Sequence, residues 1–214
     1  MVSSTASAPR PPGRPRSEAA RRRILQAAHE LLDRDGFAAL TMEAIASKAK
    51  VSKATLYRWW STKAAVVMDG FLAANEPRIL FPDTGSVRED IRHQMHRVVE
   101  LFASQTGRTI AALIAEGQTD PELAEAFRSR WLSIRRIEAK QVLERGIARG
   151  ELRSDLDDLD VVLDALYGPI YCRLLVGHAP LDAEFVNRLA DFVINGISAQ
   201  PATAANLERS PNSE

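Results

Sequence analysis

The sequence predicts an all-α protein of about nine helices. Three observations carry that reading. Apolar residues recur at i, i+3, i+4 and i+7 from Ser17 to Ser198, no segment sustains the period-two alternation of a strand, and capping residues punctuate the periodic runs. The chain has 214 residues, enough for a small domain joined to a larger one. Its composition, 45% apolar and 26% charged, is that of an ordinary soluble globular protein.

Residues 1–16, MVSSTASAPRPPGRPR, hold almost nothing to bury, so a disordered basic arm is expected. The first helix begins near Ser17. Ile24, Leu25, Ala28, Leu31 and Leu32 fall at helical spacing, and Gly36 stops the helix with Phe37 packing behind it. Thr41 is a good N-cap for a second helix, whose Met42, Ile45, Ala46 and Ala49 share a face. After a short turn, Ser52 caps a third helix over 53–60, and Thr62 caps a fourth that runs to about Asn75. A Pro-containing loop spans 76–85.

"SVRE" at 86–89 has the form of a capping box and opens a fifth helix, from 87 to about 105. A shorter helix follows over about 108–117. Asp120 as N-cap and Pro121 at N1 open a long helix that ends near Arg149, with Gly150 beyond. Asp157 or Asp158 opens the next, to near Gly177, and Pro169 inside it should kink it. Asp182 opens the last, to about Ser198. The tail 201–214 is polar, with two prolines, and should be frayed.

A formal net charge of zero hides an asymmetry. Residues 1–66 hold 12 Lys and Arg against 5 Asp and Glu, or +7; the remainder holds 16 against 23, or −7. A basic first third on an acidic remainder implies two jobs, one of them on a polyanion. Cys172 is the only cysteine, so no intrachain disulfide forms. The N-terminus has arginines without an apolar signal-peptide core, and the apolar run "ALYGPIYC" is too short to span a bilayer. A cytoplasmic protein with no membrane partner is expected.

The segment "VSKATLYRWWST", residues 51–62, is the most informative. On a helix Leu56 and Trp60 share one face, which makes Trp60 a core anchor. Ala54, Thr55, Tyr57 and Arg58 lie mostly on the other side, Trp59 at the edge, and Lys53 flanks them. Cations and hydroxyls suit phosphates, and small side chains allow close approach to bases. Helix, short turn, two-turn helix is helix-turn-helix order. Spacing alone does not separate it from an αα-hairpin with a solvated face. The +7 charge of residues 1–66, basic arm included, tilts the balance towards DNA.

Residues 36–67, "GFAALTMEAIASKAKVSKATLYRWWSTKAAVV", resemble the DNA-binding domain of the TetR family of bacterial transcriptional regulators. The matching positions are Gly36-Phe37, Thr41, Ile45-Ala46, Val51-Ser52, Thr55-Leu56-Tyr57, Trp59-Trp60 and Lys63. The resemblance is close over roughly 17–67 and one of layout beyond. It implies a helix-turn-helix domain over 17–62 and a helical ligand-binding and dimerisation domain over 63–200. It gives Thr41, Tyr57 and Lys63 to phosphates and sets Ser52, Lys53 and Thr55 at the start of the recognition helix. Trp59 falls at the backbone side of the interface, where the family usually has Tyr. Arg58 stands at a variable position suited to reading guanine. The turn departs from the family in carrying Lys50 where Gly is usual, which brings strain if that position needs φ > 0. In the arm, "PPGRPR" resembles an AT-hook core, with Arg14 and Arg16 placed for an A·T-rich minor groove; the alternative is nonspecific attraction by a basic tail.

For the larger domain the resemblance implies a homodimer on a palindromic double-stranded DNA operator, and a repressor released by a small-molecule effector that the sequence does not identify. The last two helices form the usual dimer surface, here with Leu166, Leu174, Phe185 and Phe192. Candidate pocket residues are Met95, Phe102, Phe127, Trp131, Tyr167 and Tyr171, each of which also suits ordinary core packing. His93 and His96, at i and i+3, lack further metal ligands in sequence, so a solvated face is expected. No Gly-rich phosphate loop, G-x-S-x-G, HExxH or tandem CxxC is present, so neither an enzyme nor a cofactor is expected. The alternatives are an activator of the same fold and a helical protein-interaction module with a basic face.

Overall fold

A computed structural model describes residues 18–75 and 80–199 of the chain, and its regular secondary structure there is helical throughout. The basic arm with Arg14 and Arg16, and the tail from 200 on, lie outside the described residues. The first three helices are α1 (Glu18–Ala39), α2 (Met42–Lys48) and α3 (Lys53–Tyr57). Then come α4 (Lys63–Asn75), α5 (Val87–Phe102) and α6 (Gln105–Glu116). The set ends with α7 (Pro121–Phe127), α8 (Ser133–Ala148), α9 (Leu159–Val176) and α10 (Ala183–Ile197). A π-turn over Arg128–Leu132 joins α7 to α8, so 121–148 runs on as one interrupted helix. Counted that way, the described residues hold the nine helices expected.

Local signals set most boundaries. Gly36 breaks α1 with φ 75° and ψ 170°, a conformation that suits glycine. The caps form as read. Thr41 Oγ1 accepts from Ala44 N at 3.1 Å, Ser52 Oγ from Thr55 N at 3.1 Å, and Thr62 Oγ1 from Ala65 N at 3.2 Å. Asp120, Asp158 and Asp182 do the same for α7, α9 and α10. The capping box at 86–89 does not form. Ser86 makes no side-chain cap, and Glu89 turns instead to Arg92 at 3.0 Å. The α5 amide at Val87 donates to Glu151 Oε2 at 2.8 Å, across 64 residues of sequence. An isolated bridge between Leu152 and Ser198 holds that loop against the end of α10.

α4 is the spine. It lies along α1, and Gly70 is what lets it: a Cβ there would stand 2.7 Å from the Leu25 carbonyl oxygen. Ile24, Ile45 and Leu56, none of them exposed, form the centre of the first domain with Val67 and Phe71 of α4. The C-terminal half of α4 meets α7 and the π-turn, so one helix belongs to both cores. α5 then packs on α10, where Arg88 and Arg92 hold Asp191 at 2.9 and 2.7 Å. α9 continues as one helix through Pro169 and ends at Gly177 in the left-handed conformation.

The turn between α2 and α3 is a Schellman motif. Val51 N donates to Ala46 O at 3.0 Å and Lys50 N to Ser47 O at 3.1 Å, with Lys50 at φ 54°. Lys50 is the one non-glycine at positive φ among the described residues. A left-handed L-residue costs about 1–2 kcal/mol, part of which glycine returns through its greater unfolded-state freedom. Lys50→Gly should therefore stabilise the domain by about 0.5–1 kcal/mol. Urea titration measures this; a loss of stability would mean that the lysine makes compensating contacts.

Candidate nucleic-acid interface and ligand cavity

The α3 helix is shorter than expected, five residues rather than eight. Beyond Tyr57 the chain turns, with Trp59 N and Trp60 N both donating to Leu56 O at 3.0 and 3.1 Å. The turn drives Trp60 into the core, where it is 4% exposed, and leaves Tyr57 half exposed and Arg58 exposed on the far side. Trp59 stays at the edge, stacked on Trp60 with ring centroids 5.8 Å apart.

The other expected contact residues are already engaged. Ser52 Oγ lies 2.9 Å from Thr55 Oγ1 as well as capping α3. Lys53 pairs with Glu43 at 2.7 Å and holds that carboxyl below its ordinary pKa. Lys63 Nζ donates to Phe37 O at 3.0 Å and stands 4.0 Å over the Phe37 ring, clamping the end of α1 to the start of α4. Arg58 and Lys50 have no ion-pair partner among the described residues, so their charges face solvent. The surface of α2–α3 thus presents two free cations, a phenol and two N-capping hydroxyls.

The sequence reading missed what ties this domain to the next. Asp69 of α4 accepts from Trp60 Nε1 at 2.7 Å with Oδ2, and its Oδ1 takes Arg130 NH1 of the π-turn. The next residue, Trp131, packs on Phe71 with centroids 5.3 Å apart and donates from Nε1 to the Tyr171 hydroxyl at 3.1 Å. One signal was available: Asp69 is a lone charge in the apolar run "VVMDGFLAA", and such a residue needs partners.

Trp131 is part of a cavity wall. A cavity of about 60 Å³ lies between α5, α8 and α9, with Phe102, Trp131, Tyr167 and Tyr171 on it. A wider cleft of about 350 Å³, the size of a small-molecule site, adjoins it between α6, α7 and α9 and includes Phe127. Tyr167 and Tyr171 line both. Met95 is a correction: it is 0% exposed and lines neither, being packed into the core. Gln94, one position before it, is the α5 residue that reaches the cavity, and it accepts the Tyr167 hydroxyl at 2.6 Å. Burial pushes the pKa of both phenols up, so both keep their protons.

The expected interface residues divide. Leu166 is a correction, 0% exposed inside its own subunit. Leu174 and Phe185 are half-buried, with Arg173 stacked 3.5 Å from the Phe185 ring centroid. Phe192 is 82% exposed, and Val161, Leu175 and Val176 of α9 are also on the surface. Cys172 is exposed rather than the buried thiol that is usual. His96 meets Asn187 Oδ1 at 2.9 Å, and among the described residues no three His, Cys, Asp or Glu gather as metal ligands. No described helix is long and apolar enough to cross a membrane.

Comparison with known proteins agrees with this geometry. Residues 24–68 match the family model described as bacterial regulatory proteins, tetR family, and residues 81–193 that described as tetracyclin repressor-like, C-terminal domain. The chain is 45% identical over 191 residues to the uncharacterized HTH-type transcriptional regulator YdeS of Bacillus subtilis (strain 168), covering 89% of this chain and 96% of that one. It is 29% identical over 174 residues to the DNA-binding transcriptional repressor TetR of Mycobacteroides abscessus, covering 80% and 90%. The crystal structure of the TetR family transcription regulator SCO0332 superposes with a TM-score of 0.73 at 38% identity, covering 83% of this chain and 98% of that one. A helix-turn-helix with an exposed recognition surface, mounted on a larger helical domain, defines a DNA-binding transcriptional regulator. The chain belongs to the TetR family.

The Asp69 bridge yields a prediction. Asp69→Leu leaves the buried Trp60 N–H without an acceptor and Arg130 without its carboxylate, so it should cost about 1–3 kcal/mol. Trp60→Phe in the same background removes the orphaned donor and should recover part of that loss. Denaturant titration of the four proteins of this cycle decides; additive effects would show that the indole bond is not made.

Proposed function

We propose that this regulator is a homodimer that represses from a partly palindromic operator and is released by a small molecule bound beside Trp131. The observation that carries the DNA half is the turn after α3, which turns Trp60 inward and leaves Tyr57 and Arg58 exposed together. Arg58 suits the acceptor pair of a guanine edge in the major groove. The Tyr57 and Thr41 hydroxyls suit phosphates, with Trp59 beside them and Ser52, Lys53 and Thr55 at the entering end of the helix. Lys53 exchanges Glu43 for a phosphate on binding. Lys63 keeps its bond to Phe37 O and turns a remaining N–H to the backbone.

Dimerisation rests on the apolar surface of the last two helices. Phe192, Val176 and Leu175 are large, apolar and exposed, a set that burial against a second copy stabilises. Release rests on α4. A ligand that displaces Trp131 moves the π-turn, the π-turn carries Arg130, and Arg130 shares a carboxylate with Trp60. The two reading heads then lose the spacing of successive major grooves, about 34–36 Å. A hundredfold loss of operator affinity requires about 2.7 kcal/mol of preference for the shifted state.

Fluorescence anisotropy on labelled duplexes tests the DNA assignments. Tyr57→Phe should weaken all sequences alike, by several-fold, with the salt slope unchanged. Arg58→Ala should cost about 1–3 kcal/mol at the base it reads and flatten preference there. Equal losses on every duplex would instead make Arg58 a phosphate contact. The assembly is tested by sedimentation: Phe192→Asp and Val176→Asp together should give a folded monomer, since neither side chain belongs to the subunit core. A dimer that survives both moves the interface elsewhere.

A further inference from the structure

The cavity beside Trp131 is one-sided in its hydrogen bonding. Two of its side-chain acceptors are already engaged. Gln94 Oε1 accepts the Tyr167 hydroxyl at 2.6 Å, and the Tyr171 oxygen accepts Trp131 Nε1 at 3.1 Å. No carboxylate lines it, and the one that lines the adjoining cleft, Asp164, is held by Arg136 at 2.6 Å. Three donors have no acceptor among the described residues: the Tyr171 hydroxyl proton, the Gln94 amide N–H2 and Arg135 Nε, which is buried without a partner. Burial holds the Tyr171 phenol protonated, so its donor persists over the neutral range.

The charges decide between two kinds of acceptor. An anion would need an uncompensated cation, and the site has none. Arg135 is paired with Glu138 at 2.9 Å. Arg136 is held by Asp160 at 2.8 Å and by Asp164 at 2.6 Å, and its remaining donors also go to Asp160. A carboxylate entering here would lose its hydration and meet guanidinium groups already neutralised. A neutral carbonyl loses much less solvation and still satisfies the donors. The walls are aromatic: Phe102 meets Tyr171 edge-on at 5.3 Å, and Trp131 stands between Phe71 and Phe127.

We infer that the site takes a flat, uncharged aromatic ligand with a carbonyl-type oxygen, its rings in the wider cleft and its oxygen reaching the Tyr171 hydroxyl. The inference rests on the effector reading above for its biological meaning, but its chemistry is tested separately.

Three probes of nearly equal shape separate the possibilities: 2-acetylnaphthalene, 2-naphthoate and 2-isopropylnaphthalene. Their binding to the full-length protein is measured by calorimetry. The ketone should bind about tenfold more tightly than the hydrocarbon, as one or two well-made hydrogen bonds give. It should also bind more tightly than the carboxylate. Tyr171→Phe and Gln94→Leu should each erode the advantage of the ketone while leaving the affinity of the hydrocarbon within about threefold. Circular dichroism confirms that each variant is folded. A carboxylate that binds tightest overturns the inference in favour of an anion site. A hydrocarbon that equals the ketone shows that the donors are not used, and absence of binding by all three removes this ligand class. Operator release is read in the same samples. A ketone that binds as described without releasing DNA leaves the ligand chemistry standing and removes the effector reading instead.

Discussion

Both halves of the molecule converge on the carboxylate of Asp69. One oxygen takes the indole N–H of Trp60, the anchor of the helix-turn-helix core, and the other takes Arg130 from the π-turn of the larger domain. Both partners lie off the helix that carries it. A hydrogen bond to a charged acceptor is worth more than a neutral one, and a partly buried donor left without it costs its full desolvation. The bridge therefore fixes the angle at which α4 leaves the first domain. Gly70, one residue on, fixes how closely the same helix lies on α1, because any side chain there would run into the Leu25 carbonyl. Position and pitch of the spine are set within two consecutive residues.

The π-turn gives this constraint a second consequence. An inserted residue in a helix is a register change, and register changes are discrete rather than continuous. Arg130 and Trp131 are neighbours within it, one facing the first domain and the other the cavity. Packing around Trp131 is therefore not independent of the Arg130 pair: whatever moves the indole moves the backbone that holds the guanidinium. The path from cavity to recognition helix is short, Tyr171 to Trp131 to Arg130 to Asp69 to Trp60, and every step except the peptide link between Trp131 and Arg130 is a hydrogen bond. Geometry of this kind is a physical connection; a coupling energy is what the variants above measure.

What the sequence made legible follows from how far each signal reaches. Helix ends at Thr41, Ser52, Asp120, Asp158 and Asp182 were readable because a cap is decided within three or four residues. The inward Trp60 and outward Tyr57 were readable from spacing alone, and so was the strain at Lys50 once its turn was placed. The capping box at 86–89 failed because Glu151, distant in sequence, supplies a better acceptor to the first turn of α5. Leu166 was misassigned because α9 is apolar around most of its circumference, where periodicity no longer says which side faces the core. Met95 was misassigned for a different reason: α5 is amphipathic, and its pattern marks the buried face without saying which buried residue meets the cavity, a place that Gln94 takes. The π-turn left no mark at all, since no Gly or Pro announces it.

The charge division belongs to the same logic. The excess of cations in the first third is not simply a basic surface, because Lys48, Lys53 and Lys63 are tied to Glu30, Glu43 and Phe37 within the domain. On the turn and helix from 49 to 58, the cations without an ion-pair partner among the described residues are Lys50 and Arg58. Long-range attraction to a polyanion depends on the summed charge and is screened by salt, whereas sequence reading depends on the few donors that are both free and held in place. Arg58 has no ion-pair partner among the described residues, and its backbone amide is fixed to Ala54 O at 3.2 Å, which sets where its side chain starts. Its aim is thus inherited from the turn that buries Trp60, and through Trp60 from Asp69. A device that shifts the Asp69 bridge has no need to touch the surface proposed to read DNA, because that surface is oriented by the same bond.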